Sequence, residues 1–267
     1  MMTQEERRTY LITALLAEQP GYKNVEMPTG EQEQRRLLRS LLNVRLPAPI
    51  GDDFLKVQDA YLQEEIRRKG ITDAAALIPE YEDLYLWQGD ITTLRCGAIV
   101  NAANGRMTGC YAPCHACIDN CIHTFAGVQL RLECAALMRR QGHEELTGTA
   151  KITRAYNLPC RYVLHTVGPI VAGPITKTAC DELASCYRSC LELADAHHVD
   201  SLAFCCISTG EFHFPNDRAA DIAVRTVQAY KKQTQSRIKV IFNVFKEQDD
   251  TLYRALFRTM EKAKTGD

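Results

Sequence analysis

The chain has almost no excess of charge of either sign. Its 32 lysine and arginine residues balance 33 aspartate and glutamate residues, which leaves a formal net charge of −1. This balance excludes the strongly basic surface with which many proteins attract nucleic acid or anionic membranes. No apolar segment approaches the ~20 residues needed to span a bilayer. We therefore expect neither a nucleic-acid partner nor a membrane partner.

The chain also lacks the pattern of a secretory leader. Residues 10–16 are apolar, but the segment is short, is followed by charge, and has no small-residue cleavage pattern. Cytoplasmic proteins rarely form disulfides, so the 12 cysteines are expected to be reduced thiols and metal ligands. We accordingly predict a cytoplasmic protein.

The pattern of apolar residues differs between two parts of the chain and predicts two domains. Residues 1–81 have apolar residues at helical spacing, above all in 31–42 and 52–68, and predict an N-terminal helical extension. A capping or docking role is favoured for it, and forming one wall of a ligand cleft is the alternative.

Residues 82–267 alternate between buried strand patterns and helical patterns. The predicted strands are 84–88, 98–101, 150–154, 162–167, 202–207 and 239–244. The predicted helices are 118–141, 178–197, 215–232 and 247–262. This order predicts a three-layer α/β/α domain with a mixed sheet.

Three polar loops follow predicted strands, at residues 89–92, 101–120 and 208–214. In open α/β sheets, ligands bind beyond the carboxyl ends of the strands. The small residues at 208–210, ahead of a helix, are compatible with phosphate binding, but the pattern by itself is more typical of an ordinary strand-to-helix turn. Asp90 suits either a nucleoside contact or a helix cap, and Asn101 and Asn104 suit either a sugar diol or a turn.

The middle loop contains a dense group of metal ligands. Cys110, Cys114, His115 and Cys117 fall within eight residues, and Cys121 follows closely. Thiolate and imidazole are the ligands that Zn²⁺ prefers. Four protein ligands would make a closed structural site, whereas three would leave a position open for water or substrate.

Five separated motifs resemble those of a macrodomain, the ADP-ribose-binding α/β module. They are residues 89–92, 101–104, 148–150, 165–169 and 208–210. Where many hydrolytic macrodomains have a glycine run, residues 109–120 carry the cysteines and histidine. This departure is similar to the zinc-dependent macrodomains of microbes, which also have an N-terminal helical extension. Members of that family remove ADP-ribose from modified proteins.

The resemblance implies a role for particular residues. One Zn²⁺ per chain would be held by Cys110, His115 and Cys117, while Cys114 and Cys121 are extra thiols that leave a closed site as the alternative. The adenine would meet Asp90 and Ile91. The distal ribose would meet Asn104, Ile118, Asp119 and Asn120. The diphosphate and its ribose would meet Ser208, Thr209, Gly210, Glu211 and Phe212.

The predicted activity is zinc-dependent hydrolysis that removes mono-ADP-ribose from proteins. Asp119 would act as general base or orient the water, and Asn104 and Asn120 would hold the sugar diol. Two alternatives stay open: a non-catalytic ADP-ribose reader with a structural zinc, and a hydrolase of small O-acyl-ADP-ribose. The resemblance further implies an ADP-ribosylated protein substrate, ADP-ribose as product, a partner ADP-ribosyltransferase and a lipoyl-carrying target.

Overall fold

A computed structural model of the protein describes residues 2–265. Three helices form the N-terminal region: α1 (Gln4–Ala17), α2 (Glu31–Val44) and α3 (Asp52–Lys69). Thr3 and Glu6 cap α1 reciprocally, each side chain bonding the other residue's backbone N–H. The three helices enclose an apolar cluster of their own, which includes Leu11, Leu38 and Phe54.

The rest of the described chain alternates strands with helices. The strands are β1 (Thr72–Asp73), β2 (Leu84–Gln88), β3 (Leu94–Arg95), β4 (Ala98–Ala103), β5 (Ala150–Arg154), β6 (Tyr162–Val167), β7 (Ser201–Phe204) and β8 (Lys239–Val244). The helices are α4 (Ile118–Ala126), α5 (Val128–Gln141), α6 (Lys177–Ala196), α7 (Asn216–Thr234) and α8 (Glu247–Thr265).

Six strands form one sheet in the order β2-β8-β7-β4-β6-β5. All neighbouring strands in it are parallel except β5, which runs antiparallel to β6. The central strands are buried on both faces, and β4 contributes the fully buried Ala98, Ile99 and Val100. A separate parallel pair joins β1 to β3. The predicted α/β class with a mixed sheet and an N-terminal helical region is confirmed.

Some element boundaries differ from the prediction. The single helix predicted over 118–141 is two helices, because Gly127 has a φ of +96° and ends α4. A side chain at Gly127 would also place its Cβ 2.6 Å from Nε2 of Gln58 in α3. The strand predicted at 202–207 ends at Phe204, and the one at 98–101 continues to Ala103.

The N-terminal helical region and the α/β region pack against each other. Ile66 of α3 belongs to the larger core under the sheet, and Val128 of α5 belongs to the N-terminal cluster. A domain boundary at residue 82 stays a prediction. None of the helices in the described part of the chain combines the length and apolar character that crossing a membrane requires.

Candidate active site

The three predicted polar loops lie at one edge of the sheet, because they follow the parallel strands β2, β4 and β7. One side-chain contact joins two of these loops, and a second contact closes the loop after β4 on itself. Glu211 Oε1, in the loop after β7, lies 3.5 Å from His115 Nε2, in the loop after β4. Asn104 Nδ2, at the end of β4, donates to Asp119 Oδ2 at 3.2 Å. The loop after β4 is therefore the centre of the site.

Cys110, His115 and Cys117 form a cluster of potential metal ligands. Their ligand atoms all lie within 4.8 Å of one another, and Cys110 Sγ is 3.6 Å from His115 Nδ1. The second ring nitrogen of His115 faces Glu211. A histidine ligand is ordinarily oriented in this way, with one nitrogen toward the metal and the other toward a carboxylate. The donor set of two sulfurs and one nitrogen fits zinc.

The two extra thiols of this segment lie against helix α2 instead. Cys114 Sγ is 3.2 Å from the Ser40 hydroxyl and 3.4 Å from the Arg36 carbonyl oxygen. Cys121 Sγ is 3.6 Å from Arg39 Nη2. Neither thiol joins the cluster of ligand atoms found among residues 2–265. These contacts favour three protein ligands and an open position over a closed four-ligand site.

Asp119 is a buried carboxylate at the start of α4, where the sulfur of Cys117 caps the helix. Its Oδ1 accepts a 2.8 Å hydrogen bond from Asn101 Nδ2, and its Oδ2 accepts the bond from Asn104. Burial raises the pKa of Asp119 to about 6, although the Asn101 bond, the Arg131 charge and the Asn104 bond oppose that rise. Asp119 thus lies two residues from a candidate metal ligand, held rigidly by two amides.

Asn120 is fully buried, and its side chain spans the same loop. Its Nδ2 donates to the carbonyl oxygens of Ala112 at 2.9 Å and Cys110 at 3.3 Å, and its Oδ1 accepts from Arg39 Nη2 at 3.0 Å. These are the contacts of a residue that fixes a loop. The catalytic role predicted for Asn120 stays a prediction. Ile118, beside it, is half-buried.

Asp90 caps the short helical turn Ile91–Thr93, so the capping interpretation of this residue is confirmed. Its Oδ1 accepts from the backbone N–H of Thr92 at 3.0 Å, and its Oδ2 accepts from Lys69 Nζ of α3 at 2.8 Å. Burial raises the pKa of Asp90, but the bonds from Lys69 and Thr92 outweigh it and the pKa lies below its usual value. Ile91 is buried directly after it. A nucleoside contact at these two residues stays a prediction.

The loop before α7 contains a residue with left-handed backbone, Ser208. Ser208 has a φ of +65°, and its buried hydroxyl finds no hydrogen-bond partner among the described residues. Gly168 is required opposite it, since a Cβ there would lie 2.0 Å from the Ser208 hydroxyl. Thr209 and Phe212 are half-buried, whereas Gly210 and Glu211 are exposed. The segment therefore presents small, open backbone to the edge of the sheet.

Three residues near these loops were not singled out from the sequence. Phe245 follows β8 directly and is 76% exposed, although its strand is buried. Its carbonyl oxygen accepts a bond from Gln88, which places it near the loop that contains Asp90. An aromatic residue just past a buried strand was the available signal. Lys69 and Arg39 belong to the N-terminal helices and gave no signal of their own.

A second group of the same residue types lies beneath the site. His123, Cys134 and His165 are buried, and their ligand atoms also lie within 4.8 Å of one another. His165 Nδ1 is 3.1 Å from Asn101 Nδ2, and its Nε2 is 2.9 Å from the Thr153 hydroxyl. Burial lowers the pKa of His165 to about 3. The ring is a hydrogen-bonded core histidine.

Comparisons with known proteins agree with this geometry. A model of the Macro domain family matches residues 100–223. The chain is 60% identical over 259 residues to a protein-ADP-ribose hydrolase of Treponema medium, covering 96% of this chain and 99% of that relative. It is 42% identical over 241 residues to a probable bifunctional ADP-ribose hydrolase/ADP-ribosyltransferase of Fusarium oxysporum f. sp. cubense, covering 82% of this chain and 40% of that relative. A solved structure of the Trypanosoma brucei macrodomain in complex with ADP-ribose is 29% identical with a TM-score of 0.64, covering 82% of this chain and 94% of that one.

Proposed function

Because the chain belongs to the protein-ADP-ribose hydrolase family of macrodomain proteins, we propose that it hydrolyses the linkage between mono-ADP-ribose and a modified protein. We further propose that this hydrolysis depends on one Zn²⁺ held by Cys110, His115 and Cys117. The observation that carries the proposal is that the buried Asp119 follows Cys117, one of the clustered ligands, by two residues in the chain.

The loops at the sheet edge divide the ligand between them. Asp90, Ile91 and the exposed ring of Phe245 are assigned to the adenine, since an aromatic face beside a hydrogen-bond acceptor suits a purine base. The diphosphate and its ribose are assigned to the loop before α7, at Ser208, Thr209, Gly210, Glu211 and Phe212. The distal ribose is assigned to Asn104, Ile118, Asp119 and Asn120.

The chain's own residues account for the orientation and the proton transfer. Asp119 Oδ2 accepts one hydrogen bond, from Asn104, among the described residues and so retains a lone pair for water or a ribose hydroxyl. Asn101 holds the other carboxylate oxygen and prevents rotation. A zinc ion held by Cys110, His115 and Cys117 would supply Lewis-acid polarisation. Asp119 then orients the attacking water and accepts its proton.

The partners belong to the same proposal. The substrate is an ADP-ribosylated protein and the product is ADP-ribose. A fungal relative whose name includes ADP-ribosyltransferase supports a functional link to an enzyme that attaches the group. A lipoyl-carrying target and a cytoplasmic location stay predictions.

The test is metal removal with two substrates measured side by side. A mono-ADP-ribosylated protein and O-acetyl-ADP-ribose are incubated with the enzyme before chelation, after chelation, and after zinc is restored. We expect chelation to abolish release of ADP-ribose from the protein and restored zinc to recover it. Calorimetry with ADP-ribose on the chelated protein serves as the control, and binding should persist there.

Each alternative has its own outcome. Unchanged release after chelation would contradict zinc dependence. Tight ADP-ribose binding without turnover of either substrate would indicate a reader. Turnover of the acetyl ester alone would indicate a hydrolase of small ADP-ribose derivatives.

A further inference from the structure

We propose that helix α2 of the N-terminal region builds the metal site by holding the metal loop, residues 108–117, through Arg39 and Asn43. This inference rests on the proposed zinc site. It makes the N-terminal helices part of the catalytic unit. Arg39 and Asn43 are positioning residues, since they act through the loop and through Asn120.

Arg39 holds the end of the loop. One guanidinium nitrogen, Nη2, donates to the carbonyl oxygen of His115 at 2.7 Å and to Asn120 Oδ1 at 3.0 Å. His115 is a candidate metal ligand, so the first bond fixes the backbone that carries it. Asn120 in turn donates to the carbonyl of Cys110, a second candidate ligand. A single side chain thereby restrains the backbone at two of the three ligands.

Asn43 and Ser40 hold the middle of the loop. Asn43 is buried, and its Oδ1 accepts from the backbone N–H of Cys114 at 2.9 Å while its Nδ2 donates to the Thr124 hydroxyl. Ser40 lies 3.2 Å from the Cys114 sulfur. Cys114 has a φ of +55°, a left-handed conformation that favours glycine, so its backbone needs such restraint.

Arg131 of α5 joins the start of the loop to the end of α2. Its Nη1 donates to three carbonyl oxygens, those of Leu42, Asn43 and Arg45, and its Nε donates to the carbonyl oxygen of Thr108 at 2.8 Å. A cation suits the carboxyl end of a helix, where the last carbonyl groups lack helical partners. The guanidinium also lies over the ring of Tyr111.

These contacts use one face of α2, because positions 36, 39, 40 and 43 are three and four residues apart. Residues 108–117 contain no helix or strand, so their order depends on partners outside the loop. Side chains that hydrogen-bond to metal ligands and fix their orientation typically contribute about 10–100-fold to metal affinity, which is lost when they are removed. The same magnitude is expected here.

The experiment measures zinc affinity by competition with a chromophoric chelator on the full chain. We expect Arg39→Met and Asn43→Ala to weaken zinc binding by at least about tenfold. Arg39→Lys should restore most of the affinity, because one ammonium group can donate to both oxygens. Arg35→Met is the matched control: Arg35 lies on the same helix but pairs with Glu31 and Glu65 within the N-terminal region.

The outcomes separate this inference from the proposed function. Wild-type affinity in Arg39→Met, or an equal loss in Arg35→Met, would overturn the role of α2 and leave the zinc hydrolase intact. Failure of the wild-type protein to bind zinc would overturn both. Melting temperatures measured in chelator show whether each variant folds. Should Arg39→Met unfold, Arg39→Lys and Asn43→Ala decide, and the inference fails if Asn43→Ala binds zinc normally.

Discussion

The chain contains two groups of cysteine and histidine with similar spacing of their ligand atoms and opposite surroundings. The outer group, Cys110, His115 and Cys117, is half-buried on a loop, and the inner group, His123, Cys134 and His165, is buried beneath it. In each group the ligand atoms all lie within 4.8 Å of one another. Ligand type and proximity therefore do not distinguish a metal site from packed core.

Access of solvent distinguishes the two groups, whereas the lone pairs do so only for His165, since both ring nitrogens of the buried His123 lack a hydrogen-bond partner among the described residues. Both ring nitrogens of His165 are already hydrogen-bonded, one to Asn101 and one to Thr153. Burial raises the pKa of the thiol in both groups, at Cys134 and at Cys117, so the difference between these thiols is exposure: Cys134 is fully buried and Cys117 is half-buried. In the outer group, His115 keeps one nitrogen beside Cys110 and the other beside Glu211. The difference in solvent access supports placing the proposed zinc at the outer group rather than the inner one.

The largest effect should follow loss of an outer ligand. Cys110→Ala is expected to lower hydrolysis by about 10³-fold, since Lewis-acid stabilisation is worth several kcal/mol. Zinc content should fall with it, while ADP-ribose binding persists. Cys114→Ala is the matched comparison: it removes the contact with Ser40 but keeps the backbone bonds to Asn43 and Arg39, so its loss of zinc should be much smaller. Equal loss of zinc in both variants would contradict the distinction between Cys110 as a metal ligand and Cys114 as a thiol outside the metal site.

A substitution at Asp119 comes next in expected effect. Asp119 Oδ1 is 3.5 Å from His123 Nε2, and Asp119 is two residues from Cys117. Asp119→Asn is expected to lower turnover by on the order of 10²-fold, because the amide cannot accept the water proton. Zinc content should stay at the wild-type level. A variant with near wild-type turnover would remove Asp119 from the reaction.

The inner group should reveal itself in the pH dependence of stability. The folded-state pKa of His165 is about 3, below its unfolded value, so protons bind preferentially to the unfolded chain as pH falls through 6.5. Stability is thus full above pH 6.5 and is lost below it, at about 1.4 kcal/mol per pH unit. His123, whose pKa is also lowered by burial, adds in the same direction.

The measurement compares wild-type protein with His165→Gln by urea unfolding in chelator at pH 7.5 and 5.5. Wild-type protein should lose about 1.4 kcal/mol more than the variant over this interval. Asp119, whose pKa is raised to about 6, works in the opposite direction in both proteins and cancels in the difference. Identical losses in the two proteins would show that His165 is not held neutral by the fold.

The smallest effect is expected from an inner thiol. Cys134→Ala should lower the free energy of unfolding by about 1 kcal/mol, the cost of removing a small buried apolar group. Zinc affinity and turnover should stay unchanged, because Cys134 lies outside the outer group. Loss of zinc in Cys134→Ala would show that the inner group binds metal after all.

Much of the α/β region was predictable because its signals are local. Buried strands read as apolar runs, and the polar residues that follow β2, β4 and β7 indicated a shared edge. The break at Gly127 was missed because both flanking segments have helical spacing, and the positive φ that ends the helix there is visible only in the structure. Phe245 was missed because an exposed aromatic residue is recognised only when its exposure is known.

The order of the motifs determined the family, the sheet edge that forms the site, and the identity of the thiols and imidazole at residues 110–117. Tertiary structure decided which thiols cluster and which lie against α2, and that both ring nitrogens of His165 are hydrogen-bonded. It also placed Arg39 and Asn43 of a distant helix behind the metal loop. The physical reason is the distance along the chain over which each signal acts. The spacing of apolar residues predicts which face of a helix or strand is buried, because that depends on neighbouring residues. The hydrogen-bond partner of a side chain depends on which distant element packs against it.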